Sequence, residues 1–261
     1  MKPAYFGSSS RPLFGVHRPS QASKSRDTGV LLCYPGVQEY NMAHWAFRRL
    51  AGTLAREGFH VLSFDWSGTG DSWGDTTDGT LEIWREDVAL AAQELRDASA
   101  ASSISIVGMR LGATLAALAC ADGLAAERLV LWEPVVSGSR YIAELEALHA
   151  RENLRLLHPT SAHGAEMVGF PFSPALRASI RQIELGAKPP RGAGRIVIVA
   201  GVERPDHREL YAAFQRAGLG ATYECVPEDP SATNVGERES ALLTTRSLAV
   251  IADHLAGRVT S

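Results

Sequence analysis

Residues 103–113 read Ser103-Ile104-Ser105-Ile106-Val107-Gly108-Met109-Arg110-Leu111-Gly112-Ala113. The β-branched run from Ile104 to Val107 reads as a buried strand, and the small-residue run Ala113-Thr114-Leu115-Ala116-Ala117-Leu118-Ala119 as a buried helix. Gly108 and Gly112 bracket the turn between them. In a G-x-S-x-G string placed this way, a tight strand-to-helix turn lifts the central serine above a parallel sheet as a nucleophile. Here the central residue is Arg110. A guanidinium stays protonated at any working pH and has no lone pair free for attack. The turn is present, and its nucleophile is absent.

Outward from this turn, short apolar runs alternate with helical periodicity, the mark of βα units around a parallel sheet. Strands are expected at Pro12–His17, Gly29–Tyr34, His60–Phe64, Ile104–Gly108, Leu129–Trp132, Arg195–Ala200 and Ala221–Val226. Helices are expected at His44–Glu57, Thr80–Ala98, Leu111–Ala121, Arg208–Ala217 and Arg238–Leu255. Residues 135–191 interrupt the alternation with helical segments at Tyr141–Leu156 and Pro174–Leu185 and no good strand. An insertion of that size is too long for a structureless loop, so a helical cap over the sheet edge is expected. The 261 residues then form one α/β domain, 1–261, with its cap at about 135–191.

Composition narrows the function classes. A net charge of −3 offers no basic face for nucleic acid. No apolar run approaches the roughly 18 residues that a membrane span requires. The N-terminal residues lack a signal-peptide core. Cys33, Cys120 and Cys225 each sit in or beside apolar runs, as buried free thiols do. A cytoplasmic protein is the expectation.

The chain resembles the α/β-hydrolase superfamily. More narrowly, it resembles the serine-aminopeptidase-like proteins known as exosortase A system-associated hydrolases. The resemblance is carried by Leu32-Cys33-Tyr34-Pro35-Gly36-Val37-Gln38-Glu39-Tyr40, His44-Trp45-Ala46-Phe47-Arg48-Arg49-Leu50-Ala51, Phe64-Asp65-Trp66-Ser67-Gly68-Thr69-Gly70-Asp71-Ser72, the Gly108–Ala113 turn, and Leu131-Trp132-Glu133-Pro134-Val135-Val136. It implies a mostly parallel sheet flanked by helices with a cap, an arginine at the turn as part of the family pattern, and a biosynthetic or polysaccharide-export setting. "Hydrolase" in such names reflects the fold, which does not establish chemistry.

A Ser-His-Asp site also needs an imidazole base and an orienting acid. In the superfamily the base follows the last strand, yet Pro227–Glu237 contains no histidine. His254 lies near the end of the terminal helix, an awkward distance from the strand tips. Glu203 or Asp206 fits the acid position. His207 is the nearest imidazole but opens a helix, where a solvated first-turn residue is expected. The string Gly70-Asp71-Ser72-Trp73-Gly74 also matches G-x-S-x-G. It lacks a strand before it and a small-residue helix after it, so Ser72 reads as a loop-stabilising hydroxyl.

The remaining candidates cluster at the expected strand tips. Arg110 at a helix start suits a carboxylate, phosphate or enolate, or else it pairs with an internal acid, Glu133 first and Glu39 second. His44 or Glu39 moves a proton, or His44 is a helix-start residue bonded to backbone. The N–H groups of Val37 and Leu111 stabilise negative charge. Asp65 caps a turn or touches ligand, and Trp45, Trp66, Trp132 and Tyr141 line a pocket or fill the core. His149, His158 and His163 show no ligand-like pairing, so neither a metal nor another cofactor is expected.

Three functions follow. The first is an enzyme working on a small acidic, acyl or carbonyl metabolite by elimination, cyclisation or water-mediated hydrolysis. The second is a pseudohydrolase that binds a metabolite or supports a protein partner. The third is a hydrolase using Ser72. A homodimer is left open.

Overall fold

The computed structural model describes residues 1–36, 39–153, 166–227 and 245–259. Its centre is an eight-stranded sheet in the order β1-β2-β4-β3-β5-β6-β9-β10. The strands are β1 Lys2–Ser8, β2 Arg11–Arg18, β3 Thr28–Cys33, β4 His60–Phe64, β5 Ser103–Met109, β6 Ala126–Trp132, β9 Ala193–Ala200 and β10 Ala221–Cys225. β1 and β2 form an antiparallel hairpin whose second strand pairs antiparallel with β4, and every later pairing is parallel. This is the arrangement that the resemblance implies.

The parallel strands read as near-continuous apolar runs because helices cover both faces. One face carries α2 (Leu81–Ser99), α3 (Leu111–Ala121) and α6 (Pro205–Arg216), packed on residues such as Leu31, Ile106, Leu129 and Ile198. The other carries α1 (Tyr40–Arg56) and α7 (Thr245–Ala256), packed on Val30, Leu32, Val107 and Val197. Alternate strand residues face opposite ways, which splits neighbouring side chains such as Leu31 and Leu32 between two cores. No described helix is long and apolar enough to cross a membrane.

Between β6 and β9 stand α4 (Gly138–Asn153), the two-residue strands β7 (Glu166–Met167) and β8 (Phe170–Pro171), and α5 (Pro174–Arg181). The β7–β8 hairpin corrects the expectation of a strandless insert. β1 is a further strand missing from the expected set. Only its Phe6 is buried, so it lacks the apolar alternation that marks a half-buried strand. Cys33 and Cys120 are buried as expected, whereas Cys225 is half-buried. The expected helix residues 238–244 lie outside the described residues, as do His158, His163 and residues 228–237 of the histidine-free segment.

Candidate active site

Arg110 stands where β5 gives way to α3, with φ 52° and ψ −122°. A positive φ is strained for a residue with a Cβ, costing about 1–3 kcal/mol, and must be enforced by its surroundings. Packing on both sides of the turn enforces it. A Cβ on Gly108 would come within 2.6 Å of the Ala113 nitrogen, and one on Gly112 would collide with the carbonyls of Tyr34 and Cys33. Both glycines let the helix descend onto the sheet at distances no other residue allows. The Arg110 N–H donates to the Trp132 carbonyl at 2.9 Å, and the Thr114 hydroxyl to the Val135 carbonyl at 2.8 Å.

The guanidinium turns to the Pro35–Tyr40 loop and to α4. Its Nε donates to Glu39 Oε1 at 2.9 Å, and Nη2 lies 3.5 Å from Glu144 Oε2. The Tyr141 hydroxyl donates to Glu39 Oε2 at 3.1 Å, and its ring lies 5.4 Å from the guanidinium carbon. Burial disfavours the charged guanidinium, but Glu39, Tyr141 and Glu144 outweigh burial and hold its pKa above the ordinary arginine value. The expected first partner, Glu133, is elsewhere. Its Oε1 accepts from the Gly201 N–H at 2.5 Å, and its Oε2 lies 4.0 Å from His207 Nδ1. Glu133 has φ 49°, and this bend leads its side chain to β9 and α6. Glu144, which the sequence reading missed, is one polar residue among several on an amphipathic helix and carries no local signal.

No described imidazole is hydrogen-bonded to Arg110 or its partners. His207 is fully buried, not solvated as expected, and its Nε2 lies 3.1 Å from the Pro134 carbonyl. Burial lowers its pKa, with Glu133 and Asp206 opposing. Asp206 pairs with Arg140 and Arg204, each at 3.1 Å, and Glu203 with Arg208. His254 is buried, with Nε2 3.3 Å from Glu224 Oε1. His149 Nδ1 accepts from the Val168 N–H at 3.0 Å within the insert. His44 lies beside the rings of Tyr34 and Tyr40 on α1, in a different hollow from the one that Arg110 borders.

A cavity of about 300 Å³ opens at this edge, lined by Pro35, Tyr40, Trp66, Thr69 and Phe170 among others. Trp66 is buried and donates to the Tyr34 carbonyl at 3.3 Å, so its ring is a fixed wall. Tyr40 donates to Asp65 Oδ1 at 2.9 Å, and the Asp71 N–H donates to Oδ2 at 3.1 Å. Burial raises the Asp65 pKa, with both hydrogen bonds opposing. Leu111 and the Tyr141 hydroxyl both face Gly36, within 3.4 Å of where a Cβ would stand. Trp132 is core, stacked on Phe47 at 6.1 Å, and Trp45 is 59% exposed, neither pocket nor core. Val37 lies outside the described residues. Ser72 Oγ donates to the Asp65 carbonyl at 2.6 Å and accepts from the Phe14 N–H at 2.9 Å.

The strand order, the turn before α3 and the insert after β6 define an α/β-hydrolase fold. Within that class the chain belongs to the serine aminopeptidase S33 family (Hydrolase_4), whose model matches residues 27–183. Among solved structures it is similar to Est1E of Butyrivibrio proteoclasticus with ferulic acid bound, at 14% identity and a TM-score of 0.66 over 98% of this chain and 97% of that one. It is also similar to a highly thermostable carboxyl esterase of Bacillus coagulans in complex with glycerol, at 14% identity and a TM-score of 0.67 over 98% of each chain. An esterase of Pyrococcus furiosus matches at 16% identity and 0.61, over 98% of this chain and 87% of that one. At such identities the likeness concerns the fold alone. No curated protein sequence matches the chain significantly.

Proposed function

We propose that this protein binds a small acyl, carbonyl or carboxylate-bearing metabolite at the carboxyl edge of its sheet without forming a serine acyl-enzyme, serving as a metabolite-binding or partner protein. Residues 135–191 act as its cap. The observation that carries this reading is the commitment of Arg110. The residue in the serine's seat is a guanidinium hydrogen-bonded to Glu39 and beside Glu144. It has no lone pair for attack, and its charge is already matched by carboxylates, so it needs no anionic substrate to compensate it. Fold alone does not supply the missing chemistry.

The neighbouring cavity supports the ligand class. Its volume of about 300 Å³ lies at the small end of ligand pockets, and Trp66, Tyr40 and Phe170 offer aromatic walls. The relative with ferulic acid bound makes hydroxycinnamates a rational first panel. In thermal unfolding with hydroxycinnamates, aryl esters and short acyl thioesters, at least one compound is expected to raise the midpoint saturably. Chromatography should recover it unchanged. Steady product formation from any of them overturns the reading.

One observation favours an enzyme. The Tyr40 phenol lines the cavity and donates to Asp65, whose pKa burial raises. Such a pair can exchange a proton with a bound substrate, which fits elimination, cyclisation or water-mediated hydrolysis. On that reading Tyr40 and Asp65 take the proton-transfer role expected of His44 or Glu39, which do not line this cavity. Tyr40→Phe would then abolish a turnover that Ser72→Ala leaves intact.

A further inference from the structure

Tyr40 borders a second hollow, a groove of about 280 Å³ between α1 and strands β2 and β4. Strand register fixes which side chains enter it. Arg18 pairs with Val61 and Val16 with Ser63, and directly opposed residues of an antiparallel pair share a face. Alternation then sets Val16 and Arg18 beside Val61, Ser63 and Asp65. From α1, Tyr40, His44 and Arg48 face the same space, as residues four apart on a helix do.

The groove is polarised along its length. Arg18 is level with Val61, so four residues of β4 separate it from Asp65, about 13 Å at the rise of a strand. Arg48 follows Tyr40 by eight residues of α1, about 12 Å at the rise of a helix. Because Tyr40 is bonded to Asp65, both arginines fall at the same end and the carboxylate at the other. Val16, Phe47 and Val61 lie between them. Neither arginine has a carboxylate partner among the described residues. Arg48 lies 5.4 Å from the Trp45 ring, and Arg18 Nη2 lies 3.6 Å from Met1 Sδ. Asp65 spends one lone pair of each oxygen on Tyr40 and Asp71, and each oxygen can accept again.

We infer that this groove is a binding site, separate from the cavity walled by Trp66 and Phe170, for an extended apolar carboxylate with a hydroxyl or amino donor at its far end. The carboxylate sits between Arg18 and Arg48, the chain crosses Val16, Phe47 and Val61 beneath His44, and the far donor bonds Asp65. The inference does not rest on the proposed function, which concerns the cavity walled by Phe170.

Calorimetric titration with ω-hydroxyoctanoate tests it. Native protein is expected to bind this probe with an affinity that falls as salt is added, and to bind octanoate more weakly. The Arg18→Gln/Arg48→Gln double variant should melt like the native protein and bind at least about tenfold more weakly, the loss of charge-assisted hydrogen bonds. Phe170→Trp, which narrows the other cavity, should leave the affinity unchanged. Equal affinity in the native protein and the double variant, no binding at all, or loss of binding confined to Phe170→Trp would each overturn the site. The last result would assign the ligand to the cavity walled by Phe170.

Discussion

Gly108-Met109-Arg110-Leu111-Gly112 and Gly70-Asp71-Ser72-Trp73-Gly74 have the same glycine spacing, and the chain folds them into different objects. In the first, a strand enters and a helix leaves. Its glycines are sites of close approach, where a Cβ would strike the backbone of Ala113 or of Tyr34. In the second, Gly70 and Gly74 adopt φ of 55° and 92° in a loop without a helix, and a Cβ on Gly70 would strike the Asp65 carboxylate. The hydroxyl at the centre of the loop is spent on tying β4 to β2. The charge at the centre of the turn is spent on tying α3 to α4 and the Pro35–Tyr40 loop. A motif string has catalytic meaning only through the elements that flank it.

The largest contrast should appear at the glycines. Gly112→Ala forces a methyl against two backbone carbonyls that cannot move independently of β3, so a loss of about 3 kcal/mol or more is expected in urea unfolding. A near-neutral result would show that α3 can lift away from the sheet, and the comparison would fail.

The loop has its own sensitive point. Asp87 on α2 accepts from the Ser67 N–H at 2.8 Å and hydroxyl at 3.0 Å, and burial lifts its pKa to about 6 despite both bonds. The folded state therefore holds this proton more tightly than the unfolded state, whose carboxyl titrates near pH 4. The associated stabilisation is complete below about pH 4 and is lost as pH rises through about 6, on the order of 2–3 kcal/mol. Native protein minus Asp87→Asn, compared by denaturant titration at about pH 4 and pH 7, should show that slope. A flat difference would contradict it.

A smaller effect is expected at Ser72. Ser72→Ala removes the acceptor of the Phe14 N–H and the donor to Asp65, costing about 1–3 kcal/mol. It should leave ligand binding at the cavity walled by Trp66 and Phe170 unchanged. Loss of an activity with little loss of stability would instead promote Ser72 to a nucleophile.

Much of this fold was legible because buried parallel strands leave unbroken apolar runs. His60–Phe64 and the helix Leu111–Ala121 were found to the residue. β1 escaped because six of its seven residues are exposed and β2 is the only strand it pairs with. Site chemistry was legible only where local sequence fixes it. Arg110 was read from its glycines, and Ser72 from the missing helix. Of the partners of Arg110, Glu39 was only the second choice after Glu133 and Glu144 was missed, since the three differ only in where distant backbone carries them. His207 misled because Asp206 and Arg208 beside it are charged, whereas the helix turns its ring inward onto the Pro134 carbonyl.

Intact mass after exposure to a fluorophosphonate reagent bears most directly on a site that works without a serine acyl-enzyme. Native protein and Arg110→Ser are both expected to keep their unmodified mass, since no described histidine is positioned to activate a hydroxyl at the turn. A phosphonylated serine in the native protein, at Ser72 or any other position, would contradict this.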